Sequence, residues 1–326
     1  MSSTNTIISS ITIYVGIPIF LSGTLGNILN VRLLWRTRYN PCAFIFLVSS
    51  LINCIVLFYG LFTRILGIGF HLDWSITNRI WCKTRATLTQ SSFLISLTCI
   101  CLASIDRFFA SCRQEKYRKL SKLSIAILSV IITNIFWISV FIPYLIYVDL
   151  VKNPTTGLMS CTLIIRNQVF SIYQNYIVLP VCYGLLPSTI LIITGIMTYK
   201  NTNKLQIGRQ RELIQKQLTS MMLIQIPIII ISTLPYVTFT EYTILTATVN
   251  KSADRRAIEI LLTNIFTTLC YITFACPFFV FIASSSSFRE EAKILFLCRK
   301  PNQLRNNQIQ PFSTNIFRNI KPISIK

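Results

Sequence analysis

The segment ATLTQSSFLISLTCICLASIDRF, residues 86–108, decides how the rest of the chain is interpreted. Its first twenty residues carry no charge, and the segment then ends in an acid followed directly by a base, Asp106-Arg107. A helix of about 20 apolar residues crosses the hydrocarbon of a bilayer. We therefore expect Asp106 and Arg107 at a membrane edge. By itself, such a pair is more typical of an ordinary interfacial ion pair than of a functional site.

The whole chain is too apolar for a soluble domain of its length, since 52% of its 326 residues are hydrophobic and only 13% are charged. Charges inside a membrane span are costly, so long gaps between charged residues mark candidate spans. Seven gaps are long enough: Ile11–Val31, Pro41–Thr63, Ala86–Ile105, Leu123–Val148, Asn167–Tyr199, Gln217–Thr240 and Ile260–Phe288. The sequence predicts an all-α membrane protein, a seven-transmembrane helix bundle with a short amphipathic eighth helix.

The basic residues predict the orientation of this bundle, because Lys and Arg accumulate in cytoplasmic loops. One face of the predicted bundle carries 22 Lys and Arg and the other carries 9, while the ten acids divide equally. The face with more basic residues includes the C-terminal tail. We therefore expect the N-terminus outside and the tail in the cytoplasm, with membrane lipid around the spans. A nucleic-acid partner is not expected, because the basic residues lie in loops between apolar spans.

Four segments follow from this topology. Residues 1–10 form an extracellular N-terminus with no basic region or cleavage site of a signal peptide. Residues 11–288 form the seven-transmembrane bundle. Residues 288–298 form an amphipathic membrane-surface helix, because Phe288, Ala292 and Leu295 follow a helical period. Residues 299–326 are polar and predict a disordered cytoplasmic tail.

A few polar residues within the spans are expected to face other helices, since a buried polar group needs hydrogen-bond partners. Asn27, Asn53, Ser96 and Trp137 are the candidates for an intramembrane polar and packing network. Asn53 could serve helix packing or take part in a functional polar network, and its position within the span is compatible with both roles.

Two of the eleven cysteines fall on the predicted outer face, namely Cys82 before the third span and Cys161 after the fourth. Disulfides form on the oxidising side of a membrane. We therefore predict a Cys82–Cys161 disulfide that holds the second outer loop over the bundle. Cys298, at the end of the amphipathic helix, is a candidate for palmitoylation, with an unmodified thiol as the equal alternative. Asn250 begins an outer glycosylation sequon, Asn250-Lys251-Ser252.

Three further residues mark candidate hinges, because proline removes a backbone donor from a helix. They are Pro187, Pro235 and Pro277, in the fifth, sixth and seventh spans. The single histidine, His71, lies in the connection predicted from Arg64 to Arg85 and excludes a site with several histidine ligands. No metal site, cofactor or enzymatic activity is expected.

These features resemble the rhodopsin-like (class A) G-protein-coupled receptors over nearly the whole chain. Cys82 precedes Arg107 by 25 residues, which is the separation in that family, and Asp106-Arg107-Phe108 looks like its Asp/Glu-Arg-Tyr motif. The other landmarks, in order, are Gly26-Asn27, Trp81-Cys82, Trp137, Cys161, Pro187, Pro235 and Phe288-Arg289. The resemblance implies that Asp106, Arg107 and Phe108 form a switch that couples to a heterotrimeric G protein in the plasma membrane.

The departures from the family pattern affect the switch. Asn53 replaces the acid that usually binds sodium, Phe281 stands where a tyrosine would align, and Ser232-Thr233-Leu234-Pro235 lacks the usual aromatic residue of the sixth helix. The resemblance therefore does not imply a sodium site. Gln215 stands where some members place an acid that holds the arginine of the third helix. We predict raised basal activity from this exchange.

Three residues near the outer end of the predicted bundle bear on the ligand. Thr89 takes the position of the aspartate of amine receptors, 18 residues before Arg107, and Thr89, Gln90 and Tyr236 are the candidate pocket residues. Leu234-Pro235-Tyr236 and Phe288-Arg289 look like invertebrate neuropeptide (FMRFamide-like) receptors, which implies a peptide ligand. The alternatives are a chemosensory receptor for a small molecule and a membrane transporter, although no internal repeat of the kind common in transporters is evident.

Overall fold

The structure is a computed structural model that describes residues 2–152, 159–163, 168–202 and 209–296. Its helices are α1 Ser2–Leu34, α2 Pro41–Val56, α3 Arg79–Ser111, α4 Glu115–Arg118, α5 Leu123–Tyr147, α6 Gln168–Tyr173, α7 Leu186–Thr202, α8 Arg209–Leu245, α9 Ala253–Cys270, α10 Ile272–Ala275, α11 Pro277–Ser284 and α12 Ser286–Phe296. π-Helical turns extend α2 through Leu57–Phe62 and Ile65–Gly69, and a third π-helical segment, Gln174–Leu185, joins α6 to α7.

Seven helical stretches of the described residues are long and apolar enough to cross a membrane. We number them from first to seventh: Thr4–Thr37, Pro41–Gly69, Arg79–Ser111, Leu123–Tyr147, Phe170–Thr202, Gln217–Leu245 and Ala253–Ala275. The predicted seven-span helical bundle is thus confirmed. The first helix already begins at Ser2, so most of the segment predicted as the extracellular N-terminus, residues 1–10, continues the first span as helix.

Asparagine side chains cap the helices at two of the boundaries. Asn40 accepts hydrogen bonds from the backbone N–H groups of Cys42 and Ala43, and Pro41 occupies the first helical position, where a missing N–H is harmless. Asn78 accepts from Trp81 N at 3.1 Å and starts the third span. These side chains satisfy donors that have no partner within the helix.

The predicted connection from Arg64 to Arg85 was wrong in extent. The second span continues to Gly69 and the third begins at Arg79, so only residues 70–78 connect them. The prediction used charged residues as span limits, whereas Arg64 and Arg85 lie within helices and donate hydrogen bonds to neutral side chains.

The seventh span lies earlier in the chain than the predicted Ile260–Phe288. It starts at Ala253, its helix is interrupted near Tyr271, and a second break at Cys276 separates it from α11. Pro277 is the first residue of α11. Proline has no N–H to continue the hydrogen-bonding of the preceding turn, so it favours a new helix start.

A small antiparallel hairpin lies between the fourth and fifth spans and was not predicted. It pairs β1 Val148–Lys152 with β2 Met159–Leu163, and Leu150 lies opposite Cys161. Cys161 is joined to Cys82 by a disulfide, with the two Cα atoms 5.7 Å apart. The structure therefore ties this hairpin to the start of the third span.

The core is centred on the third span, where Leu94, Leu97 and Ile100 are fully buried. The fourth span buries one face, which includes Val130 and Phe141, and exposes large apolar side chains elsewhere. Such an apolar outer surface suits contact with lipid. Helix α12 follows α11 and buries Phe288 and Ala292, two of the three apolar residues whose helical spacing predicted this helix.

Candidate functional site

Asp106 and Arg107 form a buried ion pair at one end of the third span. Arg107 is 2% exposed and Asp106 is 8% exposed. Nη2 of Arg107 lies 2.5 Å from Oδ2 of Asp106, and Nε donates to the same oxygen at 3.2 Å. The hydroxyl of Ser121 donates to the other carboxylate oxygen at 2.7 Å. Buried charges require such partners, because removal from water costs several kcal/mol per ion.

Phe108, the third residue of the predicted switch, does not join this ion pair. Its ring lies 5.5 Å from that of Phe109, and its backbone carbonyl accepts a hydrogen bond from the Ser111 hydroxyl at 2.8 Å. The structure therefore brings Asp106 and Arg107 together and leaves Phe108 with its helical neighbours. The side chain of Gln215 lies outside what the structure describes, so the predicted effect of that residue on basal activity stays a prediction.

Three of the four predicted network residues form one hydrogen-bonded chain in the middle of the bundle. Asn53 donates from its amide to Oδ1 of Asn27 at 3.2 Å, and the Ser96 hydroxyl donates to the amide oxygen of Asn53. Asn27 in turn donates to the carbonyls of Gly23 and Phe274, each at 2.8 Å. This chain links the first, second, third and seventh spans through neutral groups, and no side chain in it offers a negative charge to a cation.

Trp137, the fourth predicted member, lies apart from this chain. Its indole N–H donates to the Thr98 hydroxyl at 2.9 Å and so joins the fourth span to the third. Its role in the structure is packing between these two helices.

A cluster of hydroxyl groups joins the sixth span to the seventh just before Pro235. The hydroxyls of Ser232 and Thr273 are 2.5 Å apart, and that of Thr233 is 3.4 Å from Thr273. All three residues are buried. Sequence reasoning missed Thr273, since one threonine in a threonine-rich span carries no distinctive signal. Pro235 itself lies inside the continuous helix α8, and Pro187 lies at the start of α7.

Two of the three candidate pocket residues, Gln90 and Tyr236, lie beside an aromatic cluster. The ring of Phe93 lies 4.8 Å from Tyr183, 4.5 Å from Phe274 and 6.4 Å from Tyr236. The Tyr183 hydroxyl donates to the side-chain oxygen of Gln90. The structure therefore connects both residues to Phe93, Tyr236 by a direct ring contact and Gln90 through Tyr183. The cluster was not predicted, because its aromatic residues come from four different spans.

The chain matches the family model described as "7 transmembrane receptor (rhodopsin family)" over residues 26–286. The match covers six of the seven spans entirely and begins within the first. The chain belongs to this receptor family. No curated protein matches the chain significantly.

The receptor is thus a multi-pass membrane protein of a family of signalling receptors rather than of enzymes. Among the residues that the structure describes, no group of three or more His, Cys, Asp or Glu could hold a metal ion.

At the disulfide end of the receptor, Asp149 of β1 lies between two basic residues of the third span. Nε of Arg79 donates to Oδ1 of Asp149 at 2.7 Å, and Nζ of Lys83 lies 3.7 Å from Oδ2. The hydrogen bonds from Arg79 hold the pKa of Asp149 below its usual range, against the smaller opposing effect of desolvation. This ion pair and the disulfide together attach the hairpin to the third span.

A small, partly open cleft lies near the opposite end of the receptor. It is lined by apolar and polar residues of the first, second and sixth spans together with Phe288 and Glu291 of α12. Burial raises the pKa of Glu291, and the charge of nearby Arg36 partly opposes this shift. Arg289 donates to the carbonyls of Ile282 and Ala283, and so satisfies acceptors at the end of α11.

Two predicted modification sites differ in what the structure shows. Asn250 is exposed in the turn between α8 and α9, and the sequon's Ser252 caps α9 through its hydroxyl. Cys298 lies outside the described residues.

Proposed function

We propose that this receptor binds an extracellular ligand in the outer half of its bundle and activates a heterotrimeric G protein from its cytoplasmic face. The observation that carries the proposal is the buried Asp106–Arg107 ion pair at the end of the third span. Membership of the receptor family supplies the context for this pair. The ion pair occupies the position that the family resemblance assigns to the G-protein switch.

The proposed orientation places the N-terminus outside the plasma membrane and the tail inside the cell. The unequal distribution of Lys and Arg supports this orientation. The disulfide supports it as well, because Cys82 and Cys161 lie at the end of the bundle opposite Asp106, on the proposed oxidising side.

The structure suggests a resting arrangement in which Arg107 is enclosed and unavailable to a partner. Activation would move the sixth span, with Pro235 as the hinge, and expose Arg107. Such a movement must break or exchange the contact between Ser232 and Thr273. A ligand drives this change only if it binds one arrangement more tightly than the other. The aromatic cluster around Phe93 is suited to sense the ligand, because it contacts residues of the sixth and seventh spans.

The proposed ligand is a peptide, with a small chemosensory molecule as the second candidate. The resemblance of Leu234-Pro235-Tyr236 and Phe288-Arg289 to invertebrate neuropeptide receptors supports a peptide. Thr89 offers no carboxylate to a protonated amine, which argues against amine ligands. The family match argues against the transporter alternative.

The proposal is tested by guanine-nucleotide exchange on purified heterotrimers of each G-protein class, with the receptor reconstituted in lipid. Peptide, lipid and amine libraries are screened first in cells with calcium and cyclic-nucleotide readouts. We expect a ligand that stimulates exchange by wild-type receptor and not by an equal amount of folded Arg107→Gln. Exchange that is unaffected by the substitution would contradict the assigned role of Arg107. Antibody access to N- and C-terminal tags on intact cells tests the orientation.

A further inference from the structure

Arg64 is a charged residue inside the second span, near the end of the bundle that carries the disulfide. Its Nη2 donates to the side-chain oxygen of Asn264 in the seventh span at 2.5 Å. Its Nε is buried and has no hydrogen-bond partner among the described residues. Among the described residues, the guanidinium is therefore held between two spans by one neutral acceptor, with part of its donor capacity unused.

The neighbouring Arg85 differs from Arg64 in how its charge is balanced. Its Nε donates to the Thr63 hydroxyl at 2.9 Å, and its Nη1 donates to the Ser75 hydroxyl at 3.1 Å. Ser75 in turn donates its hydroxyl proton to the carboxylate of Asp73. Arg85 thus reaches an acid through one intervening hydroxyl.

The described residues give Arg64 no comparable hydrogen-bonded route to an acid. Within the part of the chain that the structure describes, no carboxylate oxygen lies within 4 Å of the Arg64 guanidinium. Two acids at this end of the bundle are engaged elsewhere: Asp149 with Arg79 and Lys83, and Glu259 with Lys251 and Arg255. A third, Glu241 of the sixth span, has one carboxylate oxygen buried without a hydrogen-bond partner among the described residues. Removing a cation from water without a compensating anion is costly.

The surroundings of Arg64 offer hydrogen-bonding groups but add positive charge. Arg85, Tyr236 and Tyr271 lie close enough to Arg64 to interact with it electrostatically. Gly60, one turn before Arg64, allows the Tyr271 hydroxyl to approach the second span, because a Cβ at Gly60 would lie 2.6 Å from that oxygen. The hydroxyl of Thr89, one turn after Arg85 in the third span, is buried without a hydrogen-bond partner among the described residues.

We infer that Arg64 is the anchor for an anionic oxygen group of the ligand, that is, a carboxylate, sulfate or phosphate. This inference rests on the proposed function, since it assigns a ligand class to the outer half of the receptor. A guanidinium presents paired N–H donors that match two oxygens of such a group. An anion at Arg64 would use the Nε donor and neutralise the excess charge of Arg64 and Arg85. The ligand is accordingly acidic at one end, and a purely cationic ligand is disfavoured.

The test measures thermal unfolding of the purified full-length receptor in detergent. The probes are sodium acetate, methyl phosphate and methyl sulfate at constant ionic strength, with chloride and neutral acetamide as references. The three anions separate a carboxylate site from a phosphate or sulfate site. The variants are Arg64→Gln and the control Arg256→Gln, which removes the same charge from an exposed position near the same end of the bundle.

We expect at least one anion to raise the unfolding temperature of the wild type and of Arg256→Gln by about 2 °C above chloride. Arg64→Gln should lose this shift and be at least as stable as the wild type in chloride, because it removes an uncompensated charge. Equal shifts in Arg64→Gln and the wild type, or no shift with any anion, would overturn the inference. Should Arg64→Gln fail to fold, Arg64→Lys keeps the charge without the paired donors and should show a smaller shift than the wild type. An undiminished shift in Arg64→Lys would also count against the inference.

Nucleotide exchange on the same preparations separates this inference from the proposed function. If exchange depends on Arg107 but no anion stabilises the receptor through Arg64, the ligand class is wrong and the proposed function stands. If the Arg64-dependent shift is present but exchange never depends on Arg107, the G-protein role is wrong and the anion site stands.

Discussion

The side-chain amide of Asn27 donates a hydrogen bond to the backbone carbonyl of Phe274, 2.8 Å away and 247 residues later in the chain. Phe274 belongs to the short helix α10, which ends directly before the break at Cys276. The carbonyl groups at a helix end lack partners within the helix, and in a membrane no water replaces them. Asn27 therefore supplies a donor at the point where the seventh span is interrupted.

Asn27→Ala should destabilise the receptor by about 1–3 kcal/mol, because it leaves the Phe274 carbonyl and the Asn53 amide without a buried partner. Thermal unfolding in detergent measures the effect. Asn134→Ala is the matched control, since the contact that Asn134 makes among the described residues is a hydrogen bond to Val130 of its own helix. A loss of stability no greater than that of the control would show that the Asn27 contacts contribute little.

Arg107→Gln should destabilise the receptor by roughly 3–5 kcal/mol, because it leaves the Asp106 carboxylate buried without its ion-pair partner. The double variant Asp106→Asn/Arg107→Gln should regain part of this stability, since it removes both charges. It should not regain nucleotide exchange, because the proposed G-protein contact is still absent. Recovery of exchange in the double variant would assign Arg107 a purely structural role.

Ser232→Ala should raise ligand-independent nucleotide exchange, because it removes a contact between the sixth and seventh spans that the proposed resting arrangement contains. Thr273→Val should act in the same direction. The two substitutions remove the same contact. The double variant should therefore lose about 0.5–1.5 kcal/mol less stability than the sum of the two single losses. Ser139→Ala serves as the control, because its hydroxyl is exposed and bonds within its own helix. Additive effects would indicate that the two hydroxyls act separately.

Asp149→Asn should remove a pH-dependent contribution to stability. The pKa of Asp149 is lowered in the folded receptor, chiefly by its hydrogen bonds with Arg79. The ion pair therefore stabilises the fold above the unfolded pKa of about 4 and loses this contribution as the pH falls through the lower folded value. Unfolding temperatures of wild type and variant, measured from pH 6 to pH 3, should converge at the acidic end. If the difference in unfolding temperature between wild type and variant is constant over this range, the stabilising effect of Asp149 does not depend on its ionisation.

Much of the bundle could be predicted from the chain because membrane spans obey a local rule. A run of about 20 apolar residues must be helical and must cross the bilayer, and such runs are visible without knowledge of their neighbours. The grouping of Asn27, Asn53 and Ser96 was also predictable, since polar residues in a span must find each other or the backbone.

The limits of the spans near Arg64 and Arg85 were not predictable by that rule. Arg64 stays within the second span because Asn264, 200 residues later, accepts its hydrogen bond. Arg85 stays within the third because Thr63 and Ser75 accept from it. Whether a charge ends a span or enters it depends on partners from distant segments, which a count of charged residues cannot reveal.

The number of spans, their approximate positions and the place of Asp106-Arg107 at a span end were readable from the chain alone, because these depend on local hydrophobicity and on spacing. The partners of the buried polar groups followed instead from helix packing: Arg107 and Ser121 for Asp106, Asn27 for Phe274, and Asn264 for Arg64. The physical reason is that a buried polar group takes its partner from whichever helix packs beside it. That packing brings together residues that are far apart in the chain.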